Sequence, residues 1–163
     1  MSTATVETGK VQGRRELHFN TIDEISSEVE KLAAGPPVRG LGNWSPGQIL
    51  QHLAVSMNFS IDGNPLHLPW YLRLMGKIFK GRILNKSMPA GFNLSKEAAA
   101  TLIPPPTSWE QGLANVRQAL ERQKNESKRS PSPFLGELTN EEWTKLQCRH
   151  AELHLSFLVP AGT

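Results

Sequence analysis

The sequence predicts an all-α protein built as a four-helix bundle, with an extra helix and loop inserted between the second and third bundle helices. Three observations lead there. Four segments open on helix-capping residues and continue with apolar side chains at three- and four-residue spacing. No segment shows the sustained two-residue alternation of a half-buried strand. A chain of 163 residues, 38% of them hydrophobic, fits one domain that can build its own core. The expected division is a mobile N-terminal arm over 1–15 and a single domain over 16–163, with 66–106 as the insertion.

The first helix signal is Thr21-Ile22-Asp23-Glu24, with Thr21 as cap and Glu24 three residues on. Ile25, Val29 and Leu32 mark one face, and Gly35-Pro36-Pro37 ends a helix over about 22–34. The stretch 16–19 before it alternates and is expected to be extended. The second helix opens on Ser45-Pro46-Gly47-Gln48, where Ser45 caps, Pro46 takes the first helical position and Gln48 completes the reciprocal cap. Ile49, His52, Leu53, Ser56, Met57 and Ser60 follow at helical spacing, and Gly63-Asn64-Pro65 closes it.

Residues 70–84 predict an amphipathic helix with Leu74, Ile78 and Phe79 on its apolar side. A turn over 88–92 and the rigid spacer Pro104-Pro105-Pro106 follow. Such an excursion inside a compact domain is expected to act as a lid. Its apolar residues Leu68, Trp70, Leu74, Ile78, Phe79 and Phe92 would need burial beside the open end of the bundle. Thr107-Ser108-Trp109-Glu110 then opens a helix carrying Leu113, Val116 and Leu120, which dissolves in the polar run from Asn125. Thr139-Asn140-Glu141-Glu142 is another capping box. Its helix is expected to run through Trp143, Leu146, His150, His154 and Phe157 and to stop near Pro160.

Composition excludes several function classes. The single cysteine, Cys148, rules out an internal disulfide and any cysteine-only zinc site. No run of about 18 uncharged apolar residues exists, and the first ten residues hold no signal-peptide core, so the cytoplasm is the expected location. A net charge of +3 is too mild to argue for nucleic acid, and no phosphate loop or base-stacking pattern is present. Arg73, Lys77, Lys80, Arg82 and Lys86 are nevertheless clustered, which reads first as the solvated face of a helix.

The chemistry-bearing residues are histidines. His150 and His154 stand four apart, about 40° apart around the helix axis and one turn along it, so both rings can reach one ion. They share the face of Trp143, Leu146 and Phe157 and so point inward. His52 sits between Ile49 and Leu53 on the inward face of the second helix. Three buried imidazoles are costly unless their nitrogens are satisfied. A shared divalent ion (zinc, nickel, iron or manganese) would do so, leaving a fourth position open; three separately hydrogen-bonded core histidines are the alternative. Glu152 and Cys148 lie about 200° from His150 and are not expected at the same ion. Gln48 and Ser56, one turn either side of His52, are candidate outer-shell groups. Trp70, Tyr71 and Phe92 are candidate pocket or lid residues.

The segment 42–53, Gly-Asn-Trp-Ser-Pro-Gly-Gln-Ile-Leu-Gln-His-Leu, followed by His150-Ala151-Glu152-Leu153-His154, resembles the DinB/YfiT-like superfamily. The likeness spans about 15–160 and is greatest to a branch known as a domain of unknown function. It implies a DinB-like four-helix bundle with His52, His150 and His154 as a metal triad. It also implies metal-dependent transferase or isomerase chemistry with a low-molecular-weight thiol as cosubstrate; the open position at the ion adds hydrolysis as a further expectation. The expected partner is a small-molecule substrate, with no nucleic acid or membrane; a homodimer is left open. The competing expectation is a non-catalytic module with a structural metal or none, docking to a partner or an anionic membrane through the basic helix 70–86.

Overall fold

The computed structural model describes residues 5–91 and 95–162. Among them are six helices: α1 (Ile22–Ala34), α2 (Pro46–Asp62), α3 (Trp70–Asn85), α4 (Lys96–Leu102), α5 (Trp109–Asn125) and α6 (Asn140–Leu155). Two three-residue strands, β1 (Val38–Gly40) and β2 (Leu158–Pro160), and a single 3-10 turn at Thr8–Lys10 complete the regular structure of the described residues. The all-helical expectation holds in outline, with the small sheet as an addition.

The caps explain most boundaries. Ser45 and Gln48 form a reciprocal box at α2, and Thr139 and Glu142 form one at α6. At α1 the Thr21 hydroxyl accepts from Glu24 N, but the Glu24 carboxylate reaches past the cap to Asn20 N at 2.6 Å. Ser108 caps α5. Helix α4, absent from the sequence expectation, starts where Ser95 Oγ accepts from Ala98 N at 3.2 Å. The last helix ends at Leu155 rather than running through Phe157, because the chain turns at Ser156 to pair β2 antiparallel with β1. Three residues per strand are too few for alternation to register in the sequence.

One core gathers Ile25 and Val29 of α1, Leu50, Leu53 and Met57 of α2, Val116 and Leu120 of α5, and Ala151 and Leu155 of α6. These four helices therefore share their apolar faces. A smaller cluster joins Leu84 of α3, Leu135, Leu138 and Trp143 of α6. Of the expected arm, Arg14 and Arg15 lie against α6: Arg15 N donates to Ser156 O at 3.0 Å, and its guanidinium pairs with Glu28 at 2.5 Å.

Helices α2 and α5 meet backbone to backbone. A Cβ on Gly47 would stand 2.2 Å from Thr107 O, and one on Gly112 would stand 2.5 Å from Gly47 O. Gly76 of α3 similarly leaves no room against Phe134 O. The expectation that the apolar side chains of 70–84 are buried is not met: Trp70, Leu74, Ile78 and Phe79 are exposed. Helix α3 packs through the face of Gly76 and Leu84, and its remaining apolar residues exceed what one packed face can hold.

This packing makes two glycines behave oppositely. Gly47→Ala is expected to cost about 1–3 kcal/mol, as overpacking does in a tight contact. Gly81→Ala in α3, whose new Cβ meets nothing, is expected to gain about 0.5–1 kcal/mol from helix propensity. Urea unfolding measures both; equal effects would show that the α2–α5 contact is not the tight one.

Candidate metal centre

Helix α2 supplies His52 and α6 supplies His150 and His154. The four-residue spacing on α6 stacks its two rings one turn apart, with centroids 4.6 Å from each other. The His52 ring lies 5.0 Å from His150 and 4.4 Å from His154. One nitrogen from each residue falls within 4.8 Å of the other two. The sequence expectation that these three histidines converge is met in the structure.

The hydrogen bonds decide what the nitrogens can do. His52 Nδ1 lies 2.8 Å from Leu102 O. A carbonyl only accepts, so Nδ1 carries the proton and Nε2 presents a lone pair. That lone pair faces His150 Nε2 at 3.1 Å. Two imidazole nitrogens so close need a proton or a cation between them. A tetrahedral ion with bonds of about 2.1 Å spaces its donors about 3.4 Å apart, between the tightest and widest separations here. The donor set therefore fits a divalent ion.

Electrostatics keep the donors in ligating form. His52 is buried, and burial lowers its pKa although the Leu102 carbonyl opposes the shift. Burial, helped by the neighbouring His52, pushes His150 down to about 3. His154 is driven well below its ordinary value by burial, then by the other two histidines and Arg14. All three rings are thus neutral at neutral pH, as metal coordination requires. Trp44, in the turn before α2, stacks on His154 at 5.5 Å and tilts against His52 at 4.8 Å.

The other expected site residues are placed differently. No described hydrogen bond joins Gln48 to an imidazole; its Oε1 accepts from Ser45 N, and its Nε2 donates to Pro104 O at 3.0 Å. It thereby holds the segment that presents Leu102 O. No described hydrogen bond joins Ser56 to the triad. Trp70 and Tyr71 are exposed on α3, and Phe92 lies outside the described residues. Cys148 is buried in the core, which raises its thiol to about 11. Glu152 pairs with Arg149 at 2.7 Å and accepts from Phe19 N at 2.6 Å, away from the triad.

Three contributors escaped the sequence reading. The Leu102 carbonyl could not be found, since backbone groups leave no residue signature. Trp44 stood inside the motif, and its aromatic ring beside a helix cap was the available signal. Arg14 lay in the supposed arm; its guanidinium sits 4.5 Å over the Phe157 ring, and its Nε donates to Ser156 Oγ at 3.0 Å. A cleft of about 380 Å³ opens beside it, lined also by Ser87, Met88, Glu152, Leu153 and Ser156. A second cleft, of about 450 Å³ between Leu32, Val38, Pro46 and Trp109, is likewise not lined by the triad.

Residues 11–161 match the family described as protein of unknown function, DUF1569, and the chain belongs to that family. No curated protein and no solved structure gives a significant match.

Replacing any one of His52, His150 or His154 by alanine is expected to weaken zinc binding by more than about 100-fold, beyond the loss typical of outer-shell changes. Calorimetric titration reads this directly; unchanged affinity in all three variants would dismiss the shared ion. The metal-free protein should also be acid-sensitive. An imidazole held below 6.5 when folded binds fewer protons than in the unfolded chain, so its stabilisation is complete above about pH 6.5. That stabilisation is lost as pH falls toward 3. The melting midpoint of the chelated protein should drop at least about 4 °C between pH 7 and 5. His150→Gln should flatten that slope.

Proposed function

We propose that this protein is a metal-dependent enzyme acting on a small molecule, with a divalent ion held by His52, His150 and His154. The observation that carries the reading is the lone pair of His52 Nε2, fixed by Leu102 O and aimed at a second imidazole 3.1 Å away. Among the described residues no fourth histidine, cysteine or carboxylate joins the group. Three protein ligands with a free position are the donor set of catalytic rather than structural sites. One histidine on the second helix and a pair spaced by four on the last also support placing the family with the DinB/YfiT-like superfamily. Thiol-dependent transfer or hydrolysis is accordingly the reaction class proposed.

A bound ion would supply Lewis acidity and make a thiol or water more acidic. The protein's own part is to hold the three nitrogens neutral and oriented. Trp44 packs against His52 and His154 and helps hold their rings in place. Arg14, whose charge reaches His154, favours a substrate or cosubstrate with a negative group. The cleft beside Arg14 is not lined by the triad, but Leu153 and Ser156, one and two residues from His154, wall it and give such a molecule room. Ser87 and Met88 are what the excursion contributes to its wall.

Metal analysis of the purified protein, followed by thiol-consumption assays against a panel of electrophiles, tests the proposal. Turnover should require the metal and disappear in His154→Ala. Arg14→Gln should raise KM for an anionic thiol while leaving zinc affinity within about threefold, since it is not a ligand. A metal-loaded protein that turns over nothing, yet melts far lower once chelated, would make the ion structural instead.

A further inference from the structure

Among the described residues, eight large apolar side chains are exposed, and six of them belong to α3. Trp70, Tyr71, Leu74, Met75, Ile78 and Phe79 are spread over about 180° of the helix when each residue advances 100°. Trp70 is 75% and Ile78 64% exposed. The opposite side, with Gly76 and Leu84, is the one that packs on the protein. The helix is therefore apolar on the face turned away from its own core.

Charge says what could cover that face. From 63 to 96 there is no Asp or Glu, while six Lys and Arg are present. Lys80 is taken by Glu142 at 2.7 Å. Arg73, Lys77, Arg82 and Lys86 are exposed and make no ion pair among the described residues. Two copies joined through this face would set these cations against each other with no acid on α3 to neutralise them. A convex helix also offers no groove for an extended peptide. An anionic bilayer surface needs neither a groove nor an acid, and it takes aromatic and aliphatic side chains at the headgroup level with cations beside them. No described helix is long and apolar enough to cross the membrane, so contact would be with one leaflet.

We propose that α3 docks this protein on an anionic lipid surface, lying in the interface with Trp70, Leu74, Ile78 and Phe79 inserted and Lys77, Arg82 and Lys86 against lipid phosphates. The arrangement makes no use of the histidine centre and stands independently of it.

Co-sedimentation with vesicles tests this, comparing phosphatidylcholine alone with phosphatidylcholine containing about 30% phosphatidylglycerol. Binding should be at least about tenfold stronger to the anionic vesicles and should fall steeply between about 0.05 and 0.5 M salt. Ile78→Asp and, separately, Lys77→Glu with Arg82→Glu should each reduce it about tenfold or more. Both changes lie on exposed positions, and unaltered helicity and zinc affinity confirm that the variants are folded; Trp70→Ser repeats the test at the start of the helix. Equal binding to both vesicle types, or binding indifferent to all three variants, overturns the proposal. So does a dimer of the wild type that Ile78→Asp returns to monomer, which would assign the face to a second copy.

Discussion

Helices α2 and α5 meet with no space for a side chain between their backbones, and the histidine centre is built outward from that contact. Gly47 lies under Thr107 O and Ser108 O, so the segment leading into α5 must cross the first turn of α2. Once it crosses there, Gln48 can bind Pro104 O, and Leu102 O comes to rest on His52 Nδ1. His52 is five residues past Gly47, about 7.5 Å along the helix, so the glycine contact sets the height of the imidazole. The outer shell of the centre is thus a backbone carbonyl delivered by packing. Its function is to choose the tautomer, which no bulky hydrophobic contact could do.

The second half of the site depends on how α6 is held. Arg149 pairs with Glu152 and donates to Phe19 O, and Glu152 accepts from Phe19 N. Both side chains are buried. A buried ion pair of this kind adds little net stability, because desolvation offsets the attraction, but losing one partner costs about 3–5 kcal/mol. Position is therefore what it secures. The pair clamps the chain before α1 onto the turn of α6 that carries His150, while Arg15 binds Glu28 and Leu155 O just beyond His154. Arg149 and Glu152 thus point away from the histidine centre and fix the helix that presents His150 and His154.

The caps were legible because they are local: Ser45-Pro46-Gly47-Gln48 and Thr139-Asn140-Glu141-Glu142 satisfy helix-end donors with side chains three residues away. The three histidines were legible because spacing on a helix and apolar neighbours fix direction. What escaped depends on contacts distant in sequence. β1 and β2 are three residues each and form only because Leu41 N finds Phe157 O and Ala161 N finds Pro37 O across the chain. Helix α4 is seven residues long, too short for its apolar positions to show a period. Arg14 reads as one more polar residue until β2 and Phe157 are in place beneath it.

The exposure of α3 has a different origin. That apolar side chains need burial within the chain holds for α1, α2, α5 and α6, because each has one apolar face and several partners. Helix α3 has apolar residues on nearly all sides, and a surface helix can turn only one of them to its own protein. Backbone proximity chose the side: Gly76 is the residue that lets α3 approach Phe134 O, and Leu84 then reaches Leu135 and Trp143. Lys80, on the same side, is fixed by Glu142 of α6. With the packed face decided by a glycine, the outward face keeps its aromatic and aliphatic residues for a reason outside this core. Helix α6 meets the packed side of α3 near Glu142 and carries His150 of the histidine centre about 12 Å further along its axis. The packed side of α3 and the histidine centre therefore rest on different turns of one helix.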